Sequence, residues 1–246
     1  MTYNEHSSNA SQTAQGASNT ENTLSPEPFV SAVLARLGLA DSYLSKDSSV
    51  EILLIELVSP EWQVRAAAAR KLGAQGEKAA IEPLVTTLLN DEKAEVKIAA
   101  ARALGELADY APVASLVVAL NDHVDSVKAA VAWALGELGE RIPESAPLEN
   151  LLNNDDQPVR TAAVRALGEL RERTPVHILV VALQDPSWQV REMAALALGK
   201  QGRRAPQDAL KYALNDESKF VYKAAARALE AIQEEISSNH ASIGDI

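Results

Sequence analysis

The chain has 246 residues and no cysteine, which excludes disulfides, thiolate nucleophiles and thiolate metal sites. Its formal net charge of −11 argues against nonspecific binding to nucleic acid or to an anionic membrane, because both surfaces repel an acidic protein. Apolar residues make up 47% of the chain and aromatic residues only 4%, a composition that favours closely packed helices over sheets.

The first segment, residues 1–25, is rich in Ser, Asn, Thr, Gln and Gly. It is predicted to be a disordered polar tail, because it cannot bury enough apolar surface to offset the entropy of ordering. Its start has neither a basic stretch nor an apolar run, so no signal peptide is apparent. No apolar run approaches the ~20 residues that span a bilayer. We therefore expect a cytoplasmic protein without membrane contact.

The next segment, residues 26–49, is predicted to form an N-terminal capping helix. Apolar residues recur there at helical spacing, with Phe29, Val33, Leu37 and Leu44 on one side. Pro28 precedes them and suits the first turn of a helix.

Residues 50–233 contain an internal repeat, and self-similarity at a fixed period of this length is typical of stacked-repeat proteins. A valine followed in most copies by Arg or Lys recurs at spacings of 32, 31, 32, 31 and 31 residues. A glycine stands nine positions after the valine in five copies, and Glu230 takes its place in the sixth. The six valines are Val64, Val96, Val127, Val159, Val190 and Val221.

Each copy is predicted to form two helices, called here the first and second helix. In the second helix, apolar residues fall at offsets 0, 3, 4, 7, 8 and 11 from the valine, which defines one helical face. An Asp or Asn turn follows the first helix and is predicted to cap the second. The glycines are predicted to end the second helices. Since no copy can cover its own apolar face, the copies must stack.

The last segment, residues 234–246, is predicted to be a helix end and tail. The stretch LEAIQEEISSNH continues the last second helix past the missing glycine. Its polar side chains would give the end of the stack a polar outer face.

The recurring pattern V-[RK]-x-A-A-x-x-A-L-G, with an apolar helix and an Asp turn before it, resembles the HEAT-like repeats of phycobilisome lyases. The resemblance covers residues 50–233, about three-quarters of the chain. It implies an all-α fold, a right-handed α-solenoid of six HEAT-like helix pairs with N- and C-terminal capping helices. It also implies that the second helices line a concave surface.

The same resemblance implies a ladder of ion pairs between repeats. In this family the base after the valine is expected to pair with the acidic turn residue of an adjacent repeat. Ser59 replaces the acid of the first copy and Tyr222 the base of the last, so each base should reach forward. The fourth copy has Asn154 in the strict acid position. The predicted pairs are Arg65–Asp91, Lys97–Asp122, Lys128–Asp155, Arg160–Asp185 and Arg191–Asp216.

Two enzyme hypotheses come from related repeats. Deoxyhypusine hydroxylases bind two irons through His-Glu pairs, but no histidine here (His6, His123, His177, His240) is followed by Glu. A bilin lyase would need aromatic and basic groups around a tetrapyrrole, and this chain has few aromatic residues. No Ser–His–Asp arrangement, phosphate-binding glycine loop or metal-ligand cluster is found in the sequence. We therefore expect no catalytic residue, no cofactor and no metal.

Offsets 2, 6 and 10 of the second helices point away from the predicted core and are called here the second-helix face. Exposed Arg beside exposed Trp and Ile is typical of protein-binding hot spots. A competing interpretation is a solvated surface in which Arg102–Glu106 and Arg165–Glu169 form ordinary i,i+4 pairs. Trp62 and Trp188 are expected to pack over the turns. The candidate binding residues are Ile98, Arg102, Trp133, Arg165, Leu196 and Arg227.

The sequence therefore predicts a non-catalytic scaffold that holds another protein or peptide along its concave surface. The alternative is a lyase-like or chaperone-like factor acting on a chromophore or modification of another protein. Nucleic acid is not an expected partner, because Trp133 and Leu196 interrupt the Arg row on an acidic protein. The sequence does not indicate the oligomeric state.

Overall fold

The computed structural model describes residues 48–243, and no strand occurs in that part of the chain. The predicted polar tail and nearly all of the predicted N-terminal capping helix lie outside the described residues, as do the last three residues. No helix between residues 48 and 243 is both long enough and apolar enough to cross a membrane.

The described chain folds into twelve α-helices that form six pairs, as the repeat predicts. In each pair a shorter first helix precedes a longer second helix. In chain order the helices are α1 (Ser48–Glu56), α2 (Trp62–Gln75), α3 (Ile81–Asn90), α4 (Ala94–Glu106), α5 (Val113–Ala119), α6 (Asp125–Leu138), α7 (Ala146–Glu149), α8 (Gln157–Glu169), α9 (Val176–Ala182), α10 (Trp188–Lys200), α11 (Gln207–Ala213) and α12 (Lys219–Ile243).

The first helices are less regular than the sequence pattern suggests. Helix α7 has only four residues and continues as a 3₁₀ turn over Asn150–Asn153. Another 3₁₀ turn follows each of the first five second helices and leads to the next repeat. These turns are Lys78–Ala80, Ala108–Tyr110, Gly139–Arg141, Arg171–Arg173 and Gly202–Arg204.

The core is built mainly from alanine and leucine on the second helices. Offsets 0, 3, 4, 7 and 8 are buried in α4, as the periodicity predicts, and offset 5 is buried as well. The extra buried position exists because each second helix packs against the second helices of the neighbouring repeats as well as against its own first helix. Ala101 in α4 and Ala132 in α6 illustrate it, since neither side chain reaches solvent.

The repeat glycines do not end the helices, so that prediction was wrong. They lie within the second helices, where the next second helix approaches so closely that no side chain fits. A Cβ built on Gly168 would lie 2.7 Å from the Cβ of Ala197 and 3.0 Å from its Cα. A Cβ on Gly73 would lie 2.6 Å from the Cα of Ala103. Glycine at offset 9 is therefore needed for close packing between repeats.

A residue with positive φ follows each of the first five second helices, and it stands at offset 12 instead. Gly76, Gly139 and Gly202 have φ values of 71°, 52° and 55°. In the other two repeats the same position is filled by Ala108 (φ 20°) and Arg171 (φ 47°). The left-handed region is unfavourable for residues with a Cβ, so Arg171 holds a strained backbone.

The turn acids do not cap the second helices directly, which corrects a second prediction. Each accepts a hydrogen bond two residues on, from the backbone N–H of the residue that precedes the helix. Asp91, for example, accepts from Lys93 at 2.8 Å, and Asn154 accepts from Asp156 at 2.8 Å. Asp156 then caps α8 by accepting from the N–H of Val159 at 3.2 Å. The turn acids thus fix the chain direction just before each second helix begins.

The last helix, α12, runs for 25 residues. Its side chains at offsets 9 and 12, Glu230 and Gln233, are exposed, whereas the matching positions of inner repeats face the next second helix. Within the described chain, α12 therefore presents a polar surface where a seventh repeat would stack, as the sequence predicts.

Candidate functional site

The contacts between repeats position the candidate site, and the predicted ladder is the first of them. The structure contains four of the five predicted forward pairs, and each joins the second helix of one repeat to the turn of the next. All eight side chains are largely shielded from solvent. The shortest nitrogen–oxygen distances are 2.7 Å for Arg65–Asp91, 2.6 Å for Lys97–Asp122, 2.8 Å for Arg160–Asp185 and 2.8 Å for Arg191–Asp216.

The arginine rungs make more contacts than the ion pair alone. Arg191 donates through Nε and Nη2 to both carboxylate oxygens of Asp216. Its Nη1 donates to the carbonyls of Asp185 and Pro186 in the turn of its own repeat. Arg65 and Arg160 make the same four hydrogen bonds at their own repeats. One planar guanidinium therefore ties two successive turns together, which a lysine cannot do.

The third rung does not form as predicted. Lys128 pairs with Asp125 in its own repeat, at 2.8 Å, and Asp155 makes no side-chain ion pair with any described residue. The strict acid position holds Asn154, whose Nδ2 donates to Asp125 at 3.1 Å. Because a neutral amide cannot neutralise an ammonium group, Asp125 supplies the charge and links Lys128 to Asn154. This step between the third and fourth repeats is therefore a relay of three side chains.

The ladder lowers the pKa of three carboxyl groups, those of Asp91, Asp122 and Asp216. At Asp91 and Asp122 burial by itself raises the pKa, but hydrogen bonds from the base and from a backbone N–H outweigh it. At Asp216 the hydrogen bond from Arg191 is the largest influence and lowers the pKa. All three groups thus favour the charged form in the folded state.

We expect acid to weaken the stack by protonating these carboxylates. A lowered folded-state pKa contributes stability that is complete above the ordinary value of 3.8 and is lost as the pH falls through the folded-state value. The free energy of unfolding, measured in urea, should be nearly constant from pH ~7 to ~5 and should fall steeply below pH ~4. Asp216→Asn should flatten that fall, and an unchanged pH slope in this variant would contradict the assignment.

Sequence analysis missed a second ladder at the opposite end of the second helices. An arginine at offset 14 donates back to backbone carbonyls of the preceding repeat. Arg173 reaches Ile142 at 2.9 Å, and Arg204 reaches Arg171 at 3.0 Å. Arg141 makes the same contact with Ala108. Spacings of 32 and 31 residues between Arg141, Arg173 and Arg204 were the signal that could have revealed it.

Charged side chains of the second-helix face form ion pairs between neighbouring repeats. Arg165 donates to Glu137 of the preceding repeat at 2.5 Å, and Glu169 accepts from Lys200 of the following repeat. The i,i+4 pairs Arg165–Glu169 and Arg102–Glu106 are absent from the described contacts, so these charges do not pair along a single helix. Cross-repeat pairs instead hold the side chains of neighbouring second helices in register.

Trp133 lies at the centre of this face. A Cβ on Gly105 of the preceding repeat would meet its Cζ3 at 2.9 Å, so the indole ring covers that glycine. The guanidinium of Arg165 from the following repeat lies 5.6 Å from the ring centroid, within cation–π range. The Nη1 of Arg165 is buried and makes no hydrogen bond within the described chain. Three successive repeats thus build one aromatic and cationic platform.

The remaining candidate residues flank this platform with differing exposure. Arg102 and Arg227 are exposed, whereas Ile98, Trp133, Arg165 and Leu196 are partly buried. All six side chains are therefore at least partly accessible, as their offsets predict. The sequence did not indicate that Trp133 and Arg165 are held by neighbouring repeats.

The most exposed apolar side chains lie elsewhere, on the first helices. Val118, Val181 and Tyr212 are 60%, 67% and 73% exposed. Grooves of about 540 and 440 Å³ lie beside Val181 and Tyr212, between successive first helices. The sequence pattern predicts that the first helices pack in the core. It does not predict which of their apolar residues face solvent.

The two tryptophans that the sequence placed in turns each stand at the first position of a second helix instead. Trp188 is the first residue of α10 and stacks on Phe220 of the next repeat, with ring centroids 4.8 Å apart. It remains 37% exposed. Trp62 likewise opens α2. The first turn of these second helices, rather than the turn before it, is where the aromatic rings lie.

Six stacked helix pairs, tied at both ends of the second helices, define an α-solenoid. A profile for HEAT repeats matches residues 50–136, 81–168 and 145–230. The chain therefore belongs to the HEAT repeat family, as its repeat pattern indicates. No functionally curated protein is significantly similar to it.

Solved structures of repeat proteins share this fold. A designed armadillo repeat protein in complex with the peptide (KR)4 has a TM-score of 0.57 and 23% identity, over 75% of this chain and 100% of that one. The complex of CpcE and CpcF of phycocyanin lyase from Nostoc sp. PCC7120 has a TM-score of 0.59 and 22% identity, over 78% and 79% of the two chains. An engineered protein reaches 25% identity with a TM-score of 0.57, over 76% and 98%. At 22–23% identity, the first two show a common fold only.

Proposed function

We propose that this protein is a non-catalytic scaffold that binds a protein or peptide along its second-helix face. The observation that carries the proposal is the platform of Trp133 and Arg165. A partly buried tryptophan under a guanidinium combines two of the residue types most enriched at binding hot spots. The platform is also preorganised, because Gly105 and Glu137 hold its two members in place.

The packing of the stack supports an inner position for this face. Second helices approach one another through glycine and alanine, whereas the first helices contact one another much less. Elements that approach more closely lie on the inside of a curved stack, so the second helices would line a concave groove. Solenoids of this kind commonly use such an extended inner surface for binding.

The chemistry of the face suits a peptide with both apolar and acidic groups. Ile98 and Leu196 offer apolar contacts on either side of Trp133, while Arg102 and Arg227 are exposed donors. The unpaired Nη1 of Arg165 is a costly feature in isolation, since a buried unsatisfied donor costs about 1–3 kcal/mol. A bound carbonyl or carboxylate could satisfy it after a small rotation of the side chain.

The peptide-bound armadillo structure supports the general mode of binding, because its fold is similar and its ligand is a peptide. The alternative, a lyase-like or chaperone-like factor that acts on a chromophore or modification of another protein, has the phycocyanin lyase structure as its only support. At 22% identity that likeness concerns the fold, and the six candidate residues of the second-helix face include a single aromatic ring, that of Trp133.

A pull-down from lysate of the source organism tests the scaffold proposal. The bait is the wild type beside a triple variant, Trp133→Ala, Arg102→Glu and Arg165→Glu. A true partner should be retained by the wild type and lost from the variant, since the platform and its neighbouring donor are removed together. Circular dichroism should show that the variant keeps its helices.

The matched control is Val181→Ala with Tyr212→Ala, which removes exposed apolar side chains from the first helices and leaves the second-helix face intact. It should retain the partner. A partner lost from this control but kept by the triple variant would move the binding site to the outer surface, and the proposal would be wrong.

A further inference from the structure

A groove of about 510 Å³ lies at the edge of the stack, between the 3₁₀ turns of the fourth and fifth repeats and helix α12. It shares no residue with the six candidates on the second-helix face. Four basic side chains and two acidic ones, Glu172 and Glu235, line it, although the protein as a whole is acidic. We call it the edge groove, and its main lining residues are Arg171, Lys200, Gln201, Arg203, Arg204 and Glu235.

Two of the four bases in the edge groove are committed to the fold. Arg204 donates to the carbonyl of Arg171 and to Oε1 of Gln201, both at 3.0 Å, and Lys200 pairs with Glu169. The side chains of Arg171 and Arg203 are exposed, and neither makes a hydrogen bond or ion pair with the described residues. The groove therefore has a fixed floor and two unpaired guanidinium groups at its mouth.

A buried donor on the groove floor is also unpaired. Gln201 is only 6% exposed, and its Oε1 is occupied by Arg204. Its Nε2 is buried and makes no hydrogen bond within the described chain. A buried amide nitrogen normally has an acceptor, so Nε2 of Gln201 would gain a hydrogen bond from a ligand oxygen that reached it. The bases and the amide together call for a ligand that carries anionic oxygens.

The backbone of Arg171 gives a second reason to expect a ligand, because its conformation is unfavourable for a residue with a side chain. It occupies offset 12 with φ 47°, where three of the five equivalent positions hold glycine. Strained residues tend to be retained where they serve a function. Since the Arg171 guanidinium makes no hydrogen bond or ion pair with a described residue, polar contacts within the fold do not explain its presence.

A carboxylate of the chain itself already rests at the groove. Glu235 of α12 lies over Gly202 so closely that a Cβ at Gly202 would overlap its carboxylate. No ion pair forms between Glu235 and the bases of the groove. Glu235 therefore shows that the groove admits a carboxylate, and it also places a negative charge where a ligand would compete with it.

We propose that the edge groove binds an acidic peptide segment of a partner protein. Carboxylates of the segment pair with the exposed guanidinium groups of Arg171 and Arg203, and one of their oxygens accepts from Nε2 of Gln201 once that buried side chain rotates towards the groove. A nucleic acid fits less well, because a long polyanion would meet the net charge of −11 over a much larger surface than this short groove. Glu235 opposes the incoming charge and sets the affinity.

Fluorescence anisotropy with a fluorescein-labelled oligoglutamate peptide tests the proposal on the full chain. Arg171→Gly should weaken binding about threefold, and adding Arg203→Glu should weaken it about tenfold or more. Arg171→Gly also relieves the left-handed strain, so it should be at least as stable as the wild type, and its loss of affinity cannot come from misfolding. Glu235→Gln should tighten binding about twofold to threefold, because it removes a like charge.

The control variant is Lys71→Glu, which makes the same charge change at an exposed residue of α2, away from the groove. It should alter affinity by less than about twofold. The control probe is an oligoglutamine peptide of equal length, which should not bind.

Equal affinity of the Arg171→Gly, Arg203→Glu and Lys71→Glu proteins would overturn the proposal. So would displacement of the peptide by millimolar inorganic phosphate, or tighter binding of a single-stranded DNA oligonucleotide. None of these substitutions alters the second-helix face, so this test can fail independently of the scaffold proposal.

Discussion

Replacing Gly168 by alanine should destabilise the protein by about 2 kcal/mol, although alanine is the better helix former by about 1 kcal/mol. The reason is the approach of the next second helix. The new methyl group would lie 2.7 Å from the Cβ and 3.0 Å from the Cα of Ala197, and neither atom can move without shifting helix α10. Overpacking of a closely packed interface costs about 1–3 kcal/mol or more.

Gly136→Ala is the matched control for this prediction. It makes the same change at the same offset, one repeat earlier, but its nearest neighbour would be the Cα of Ala166 at 3.2 Å. A small shift suffices there, so the helix-propensity gain should offset the contact and leave stability within about 0.5 kcal/mol of wild type. Urea unfolding followed by circular dichroism measures both variants. Equal losses in the two would show that offset 9 is limited by something other than the distance between second helices.

These glycines show what a single sequence can and cannot reveal. Periodicity identified six helix pairs because apolar spacing follows directly from the geometry of a helix that buries one face. The same pattern cannot distinguish a glycine that ends a helix from one that lets two helices touch. That distinction depends on Ala197, a residue 29 positions away whose contact exists only after stacking.

The ladder shows the same limit in its electrostatics. The resemblance to HEAT-like repeats implied the pairing, and the gaps at Ser59 and Tyr222 gave its direction, which together led to four of the forward pairs. This prediction failed at Lys128, where Asn154 replaced the acid and Asp125 in the same repeat was closer. The cross-repeat pair of Arg165 with Glu137 was likewise unexpected, because spacing along one helix says nothing about the side chain lying beside it.

Replacing Arg191 by methionine should have the largest effect among the ladder residues. Methionine keeps an unbranched apolar side chain but removes every donor, which leaves Asp216 shielded from solvent and without its guanidinium. It also leaves the carbonyls of Asp185 and Pro186 without a partner. Breaking a largely buried ion pair from one side costs about 3–5 kcal/mol, and we expect about 3 kcal/mol here because the rung lies near the molecular edge.

Lys128→Met is the control for the Arg191 prediction, because that lysine makes a pair within its own repeat and contacts no carbonyl of the turn. It should cost less than about 1 kcal/mol. The loss of stability in Arg191→Lys should fall between those of Arg191→Met and Lys128→Met. Lys97 shows that a lysine can reach the next acid at 2.6 Å, but a lysine lacks the second pair of contacts.

Hydrogen exchange locates the loss: protection should fall first in α11 and α12, because stability in a solenoid is a sum of repeat and interface contributions. If Arg191→Met and Lys128→Met cost the same, the guanidinium bridge between turns does not stabilise the stack, and the packing of glycine against alanine must hold the repeats together without it.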